Sequence, residues 1–97
     1  MSTALSALTL ARIAELFAPS DREHAAVQLL ERSTSLASAF ANEQMMERVH
    51  LAAIKCSEGS LVKLQAAIDL MNADWRDLLV AANFAHDVDA HLRWSPT

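Results

Sequence analysis

A single glycine, Gly59, serves all 97 residues of the chain, and tyrosine is absent. β-Hairpins turn on residues with positive φ, which glycine supplies at least cost, and strands favour β-branched and aromatic side chains. With one glycine and only 5% aromatic residues, the chain is poorly equipped for either. Alanine and leucine, both strong helix formers, dominate instead. The reading is all-α: one domain over residues 1–97, folded as a single compact bundle of five or six short helices.

Local signals set the expected helix boundaries. A first helix should start after Ser2 or Thr3 and run to about Phe17, because Ala18 precedes Pro19 and so avoids helical angles. At about 100° per residue, Leu10, Ile13, Leu16 and Phe17 share one side. Leu5 and Leu8 fall on another, beside Arg12 and Glu15, so this helix is apolar over more than one face. Ser20 with Glu23 forms a capping-box pattern for a second helix to about Arg32, burying Ala26, Leu29 and Leu30. Residues 33–42 read as a loop with one helical turn, since serines favour turns while Leu36 and Phe40 are spaced i,i+4.

Asn42 is the expected cap of a third helix, 43–56, with Met45, Met46, Val49, Ala52, Ala53 and Cys56 as its buried stripe. Leu51 and Ile54 lie on the opposite side among Glu47, His50 and Lys55, which marks either a central helix or a contact surface. Gly59 breaks the chain in a left-handed conformation, and Ser60 caps a fourth helix, 61–71, with Leu61, Leu64, Ile68 and Met71 at helical spacing. Asp74 caps a fifth helix whose Trp75, Leu78, Leu79 and Ala82 share a face, with Trp75 buried against the third or fourth helix. Asn83 takes the left-handed ending and Phe84 folds back toward Leu79. Asp87 caps a last helix, 88–94.

The net charge of −4 and the eight scattered basic residues lack the local cationic excess that displaces counterions from nucleic acid. Residues 74–83 have the outline of a helix-turn-helix recognition segment, with Arg76 and Asn83, but Asp74 and Asp77 would repel phosphates. Arg12 and Glu15 interrupt the apolar start too early for a membrane span, and no basic segment precedes it as in a secretory leader. Cys56 is the single cysteine, which fits a reducing compartment. The expectation is a cytoplasmic protein without nucleic-acid or membrane partners.

Three groups invite chemistry. Asp87 and His91 are i,i+4 neighbours, and His86 precedes them, so the three could face a metal ion. The competing reading has Asp87 as a helix cap and the histidines as polar surface, and no HExxH or CxxC spacing favours the metal. Cys56 would need a nearby base such as His50 to become a nucleophile, but its place on an apolar stripe reads as a core thiol. The serines lie in turns and caps, and one glycine excludes phosphate-cradling loops. No catalytic, cofactor-binding or metal residues are assigned.

The segment "ERVHLAAIKCSEGS" and the later "DWRDLLVAANFAHD" and "AHLRW" carry a resemblance. Glu47, Arg48, Val49, Lys55, Ser57 and Gly59, then Asp74, Trp75, Arg76 and Asp77, then Ala90, His91 and Trp94 fit one pattern. Its blocks are ERVxxAxLKxSxG, DWRDLLVAAGFAxD and AHxxW, and it resembles that of a group of small bacterial helical proteins with no established activity. Asn83 stands where that pattern has glycine. The resemblance implies a bacterial cytosolic protein and supplies no catalytic residue. Hydrophobic residues make up 53% of the chain, more than a small interior readily hides. The expected function is a non-enzymatic protein-interaction or self-associating module, a homo-oligomer or a partner of another protein. Its candidate interface is Leu5, Leu8, Leu51 and Ile54. The alternative is a small metal- or ligand-binding protein using the His86–His91 region.

Overall fold

In the computed structural model, which describes residues 5–40 and 42–96, helix α4 (Glu43–Ser57) runs through the middle of the domain. It packs against α1 (Ala7–Leu16), α3 (Thr34–Phe40), α5 (Leu61–Ala73), α6 (Trp75–Ala81) and α7 (Ala90–Arg93). Helix α2 (Arg22–Arg32) closes the far side against α1, α3 and α5. The described residues thus hold seven helices and no strand, which gives the all-α fold but corrects the count of five or six. The radius of gyration, 11.9 Å, is that of a compact domain of this length.

The central position of α4 explains why apolar residues fall on more than one side of its wheel. Val49, Leu51, Ala52, Ala53 and Ile54 are each fully buried. Leu51 and Ile54 are therefore core residues of this fold, not a free face. Leu5 is buried too, and Leu8 is half-buried against the same core. Truncating a buried leucine such as Leu51 to alanine should cost about 2–5 kcal/mol through lost burial and the cavity left behind. Met45, Met46 and Cys56, expected inside, are only half-buried at the edges of this helix.

Helix α1 uses one face. Thr9 and Ile13 point into the core, whereas Leu10 remains 47% exposed. Burial of Thr9 is tolerable because its hydroxyl shares a 2.8 Å hydrogen bond with Ser6, the residue that caps the helix. The expected cap at Ser2 or Thr3 lies outside the described residues.

Several local predictions hold at atomic detail. The side chains of Asn42, Ser60 and Asp74 accept backbone N–H groups from Met45, Lys63 and Arg76. Asn83 has φ of 63°; its N–H reaches the Val80 carbonyl and that of Phe84 reaches Leu79, the paired bonds of a Schellman ending. Phe84 is accordingly buried.

Others do not hold. Helix α2 begins after Asp21 with no side-chain cap, so the Ser20 capping box is not formed. Residues 34–40 are a helix rather than a loop: Phe40 meets Trp75 edge-on at 5.0 Å, and this tertiary contact offsets the weak helix propensity of the serines. Trp75 is half-buried, with its ring against Phe40 of α3 and the rest of its helix on α4 and α5. The last helix covers only Ala90–Arg93, because Asp87 instead accepts the Asp89 N–H in the preceding turn.

The connection from α4 to α5 is the tightest point of the fold. Glu58 (φ 52°) and Gly59 (φ 82°) are both left-handed, and the Leu16 carbonyl of α1 sits where a Gly59 Cβ would come within 2.7 Å of it. Buried Ser57 braces the turn, donating to the Ile54 carbonyl at 2.5 Å and accepting the Gly59 N–H at 3.3 Å.

Candidate functional site

The polar residues of α4 fasten the C-terminal segment. Arg48 Nη2 donates to the Phe84 carbonyl at 2.6 Å, and Lys55 Nζ donates to the Ala82 carbonyl at 2.7 Å. Lys55 also lies 4.9 Å from the centre of the Phe84 ring. Arg12 of α1 donates to the Trp94 carbonyl at 3.0 Å, which pins the end of α7. These side chains satisfy the carbonyls of a segment with almost no regular structure of its own. The density of chemistry-bearing residues after Asp74 is thus largely fastening and capping.

His86, Asp87 and His91 do not converge. His86 is exposed, and Asp87 pairs with Arg93 at 2.5 Å. The Asp89 N–H and then Arg93 hold the Asp87 carboxyl below the usual carboxylate range. His91 points the other way, fully buried, with Glu47 Oε1 3.5 Å from its Nε2 and no hydrogen bond to either ring nitrogen. The three residues named as a possible metal set therefore face different surroundings, and among the described residues no three His, Cys, Asp or Glu side chains are grouped to hold a metal.

Neither nucleophile candidate is activated. Ser33 and His50 share a 2.9 Å hydrogen bond, yet both are buried, and burial lowers the His50 pKa to about 4. His50 is neutral at physiological pH and no substrate reaches the pair, so this is a satisfied core hydrogen bond. Burial pushes the Cys56 thiol up, which keeps it protonated and weakly reactive.

What the structure does leave open is an apolar surface on α5 and α6. The inner face of α5 buries Leu64, Ala67, Ile68 and Met71. Its outer side carries Val62, Ala66, Leu70 and Ala73, spaced four, four and three residues apart, with Val62 78% exposed. Between α5 and α6 lies a shallow depression of about 250 Å³ lined by Cys56, Ala66, Leu70, Leu78 and Ala81, with Lys63 at its polar edge. The sequence signal for these residues is the "LVKLQAAIDLMNA" segment, where a second apolar stripe shares one helix with that of Leu64 and Ile68.

A second depression, of about 260 Å³, is lined by Lys55, His86 and Arg93 with Phe84 and Trp94. Its cations are already engaged, Lys55 by the Ala82 carbonyl and Arg93 by Asp87. No helix among the described residues is long and apolar enough to cross a membrane.

Fold and surface together define a small all-α domain with a fastened C-terminal segment and one two-helix apolar patch. No protein-family model, curated protein or solved structure matches this chain.

Proposed function

We propose that the protein is a non-catalytic helical module that binds another polypeptide, and that α5 and α6 form the contact. The observation that carries the reading is the doubly apolar α5. One stripe completes the core, while Val62, Ala66, Leu70 and Ala73 form a second beside an apolar depression. Small alanines at such a surface let a partner helix approach closely, and burying aliphatic area there supplies about 25 cal/mol per Å² of favourable transfer. Leu70 is half-buried against the core, whereas Val62, Ala66 and Ala73 are exposed and serve no packing within the fold. The single, protonated Cys56 fits a reducing bacterial cytosol, as the resemblance of the sequence blocks implies.

The test is site-specific photocrosslinking in living cells. A photoreactive residue at Val62 or Ala81 should give discrete polypeptide adducts. The same residue at Val27 of α2 or Val88 in the turn before α7, both exposed valines, should not. Equal labelling from all four positions, or none from Val62 and Ala81, contradicts the reading.

A further inference from the structure

We infer that residues 85–94 form a strap that opens as a unit while the rest of the bundle stays folded, with buried His91 as the element that works against its closure. The hinge is the left-handed ending at Asn83 and Phe84. Up to this point the chain is held firmly, by Lys55 on the Ala82 carbonyl at 2.7 Å and Arg48 on the Phe84 carbonyl at 2.6 Å. Beyond it the fastening weakens. Arg48 reaches the Asp87 carbonyl only at 3.5 Å, and Gln44 reaches the Asp89 carboxylate at 3.4 Å from an exposed position. The well-formed bond to this stretch is that of Arg12 to the Trp94 carbonyl at 3.0 Å. Asp87 bonds to Asp89 and Arg93 inside the segment, contacts that lifting does not break. Ala90 and His91 are its buried residues, while Ala85, His86, Val88, Asp89, Leu92 and Arg93 are exposed.

The burial of His91 opposes closure. Its ring is fully enclosed, yet neither nitrogen has a hydrogen-bond partner, and the Glu47 carboxylate stands 3.5 Å from Nε2. Arg48 Nε, on the helix beneath, is likewise buried without a partner. A polar atom enclosed in this way has lost its water without replacing it, a cost that lifting the segment relieves. Local opening needs weak anchoring and few buried apolar side chains, and this segment has both. Lifting uncovers the Phe84 ring, 2% exposed where it packs edge-on against His91 and Trp94, together with Glu47. The strap is a cover over one aromatic ring and one carboxylate of the bundle.

Thiol labelling of the native protein reads the opening. In a Cys56→Ser background, Ala90→Cys reports the strap and Ala53→Cys, fully buried in α4, reports global unfolding. Ala90→Cys should label at least about a hundredfold faster than Ala53→Cys, because it needs only the local opening. Its rate should rise in low urea, as that of a statically exposed thiol would not. Leu29→Ala, in α2 and outside the strap, should speed labelling at Ala53→Cys by about thirtyfold or more. It should leave labelling at Ala90→Cys unchanged, since Leu29 stays packed when the strap lifts. His91→Leu should slow labelling at Ala90→Cys by about tenfold or more, and His91→Met should act in the same direction. Amide exchange of the wild-type chain repeats the comparison without cysteines, with Ala90 and Leu92 exchanging ahead of Ala53. Equal labelling at the two sites, or a Leu29→Ala change that speeds both alike, means that the segment opens only with the whole fold and overturns the strap. Faster labelling in both His91 variants overturns the role given to His91, which would then be holding the segment down.

Discussion

Replacing Gly59 with alanine should destabilise the protein far more than any other single-methyl addition on its surface. Two costs act together. At φ of 82° the backbone is left-handed, and a residue with a Cβ loses about 1–2 kcal/mol there. The added Cβ would also lie 2.7 Å from the Leu16 carbonyl oxygen, a backbone atom at the end of α1 that has no rotamer to escape into. Helix α1 must withdraw from the α4–α5 turn, disturbing Phe17 in the core and the Arg22 hydrogen bond to the Phe17 carbonyl. Overpacking of this kind costs about 1–3 kcal/mol, for a sum of about 2–5 kcal/mol. In a domain of this size each kcal/mol lowers the melting temperature by about 4–8 °C, so Gly59→Ala should melt at least about 8 °C below wild type. Glu58→Gly is the control: position 58 is also left-handed, and removing its Cβ should leave stability unchanged or raise it. A Gly59→Ala protein melting within a few degrees of wild type would show that α1 does not rest on this turn.

Three further outcomes follow from the same structure. Asn83→Gly should be neutral or stabilising and Asn83→Val clearly destabilising in denaturant melts, because a β-branched residue resists the 63° φ of this Schellman ending. Arg48→Met should cost about 1.5–3 kcal/mol and speed amide exchange across residues 84–94, since the charged donor to the Phe84 carbonyl is lost. His50 has a folded pKa of about 4 against an unfolded value near 6.5, so the unfolded chain binds more protons between them. Its contribution is therefore complete above pH 6.5 and is lost as the pH falls toward 4, by up to about 3 kcal/mol; His50→Gln should flatten that part of the profile.

What was legible in the sequence was local. Asn42, Ser60, Asp74 and Asn83 act within a few residues of their own backbone, so side-chain type and position were enough to place them. What needed the whole fold was not legible. Leu51 and Ile54 look surplus on a helical wheel that assumes one buried side, whereas α4 is covered from several directions. Helix α3 depends on Phe40 meeting Trp75 thirty-five residues away, a contact that serine propensity opposes. Thr9 displaces Leu10 from the core through a hydroxyl pair that hydrophobicity alone does not register. The His86–His91 cluster dissolved for a similar reason: with helix α7 beginning only at Ala90, Asp87 and His91 no longer share a helical face. The α5 surface stripe was in plain view, but two apolar stripes on one helix read as a buried helix until the neighbouring elements are placed.

The central claim, that α5 and α6 form a contact surface for another polypeptide, is tested most directly by photocrosslinking from Val62 and Ala81 in living cells. Discrete polypeptide adducts from these two positions, and none from Val27 and Val88, are the predicted result. No adduct from Val62 and Ala81, or equal labelling from all four positions, would contradict it.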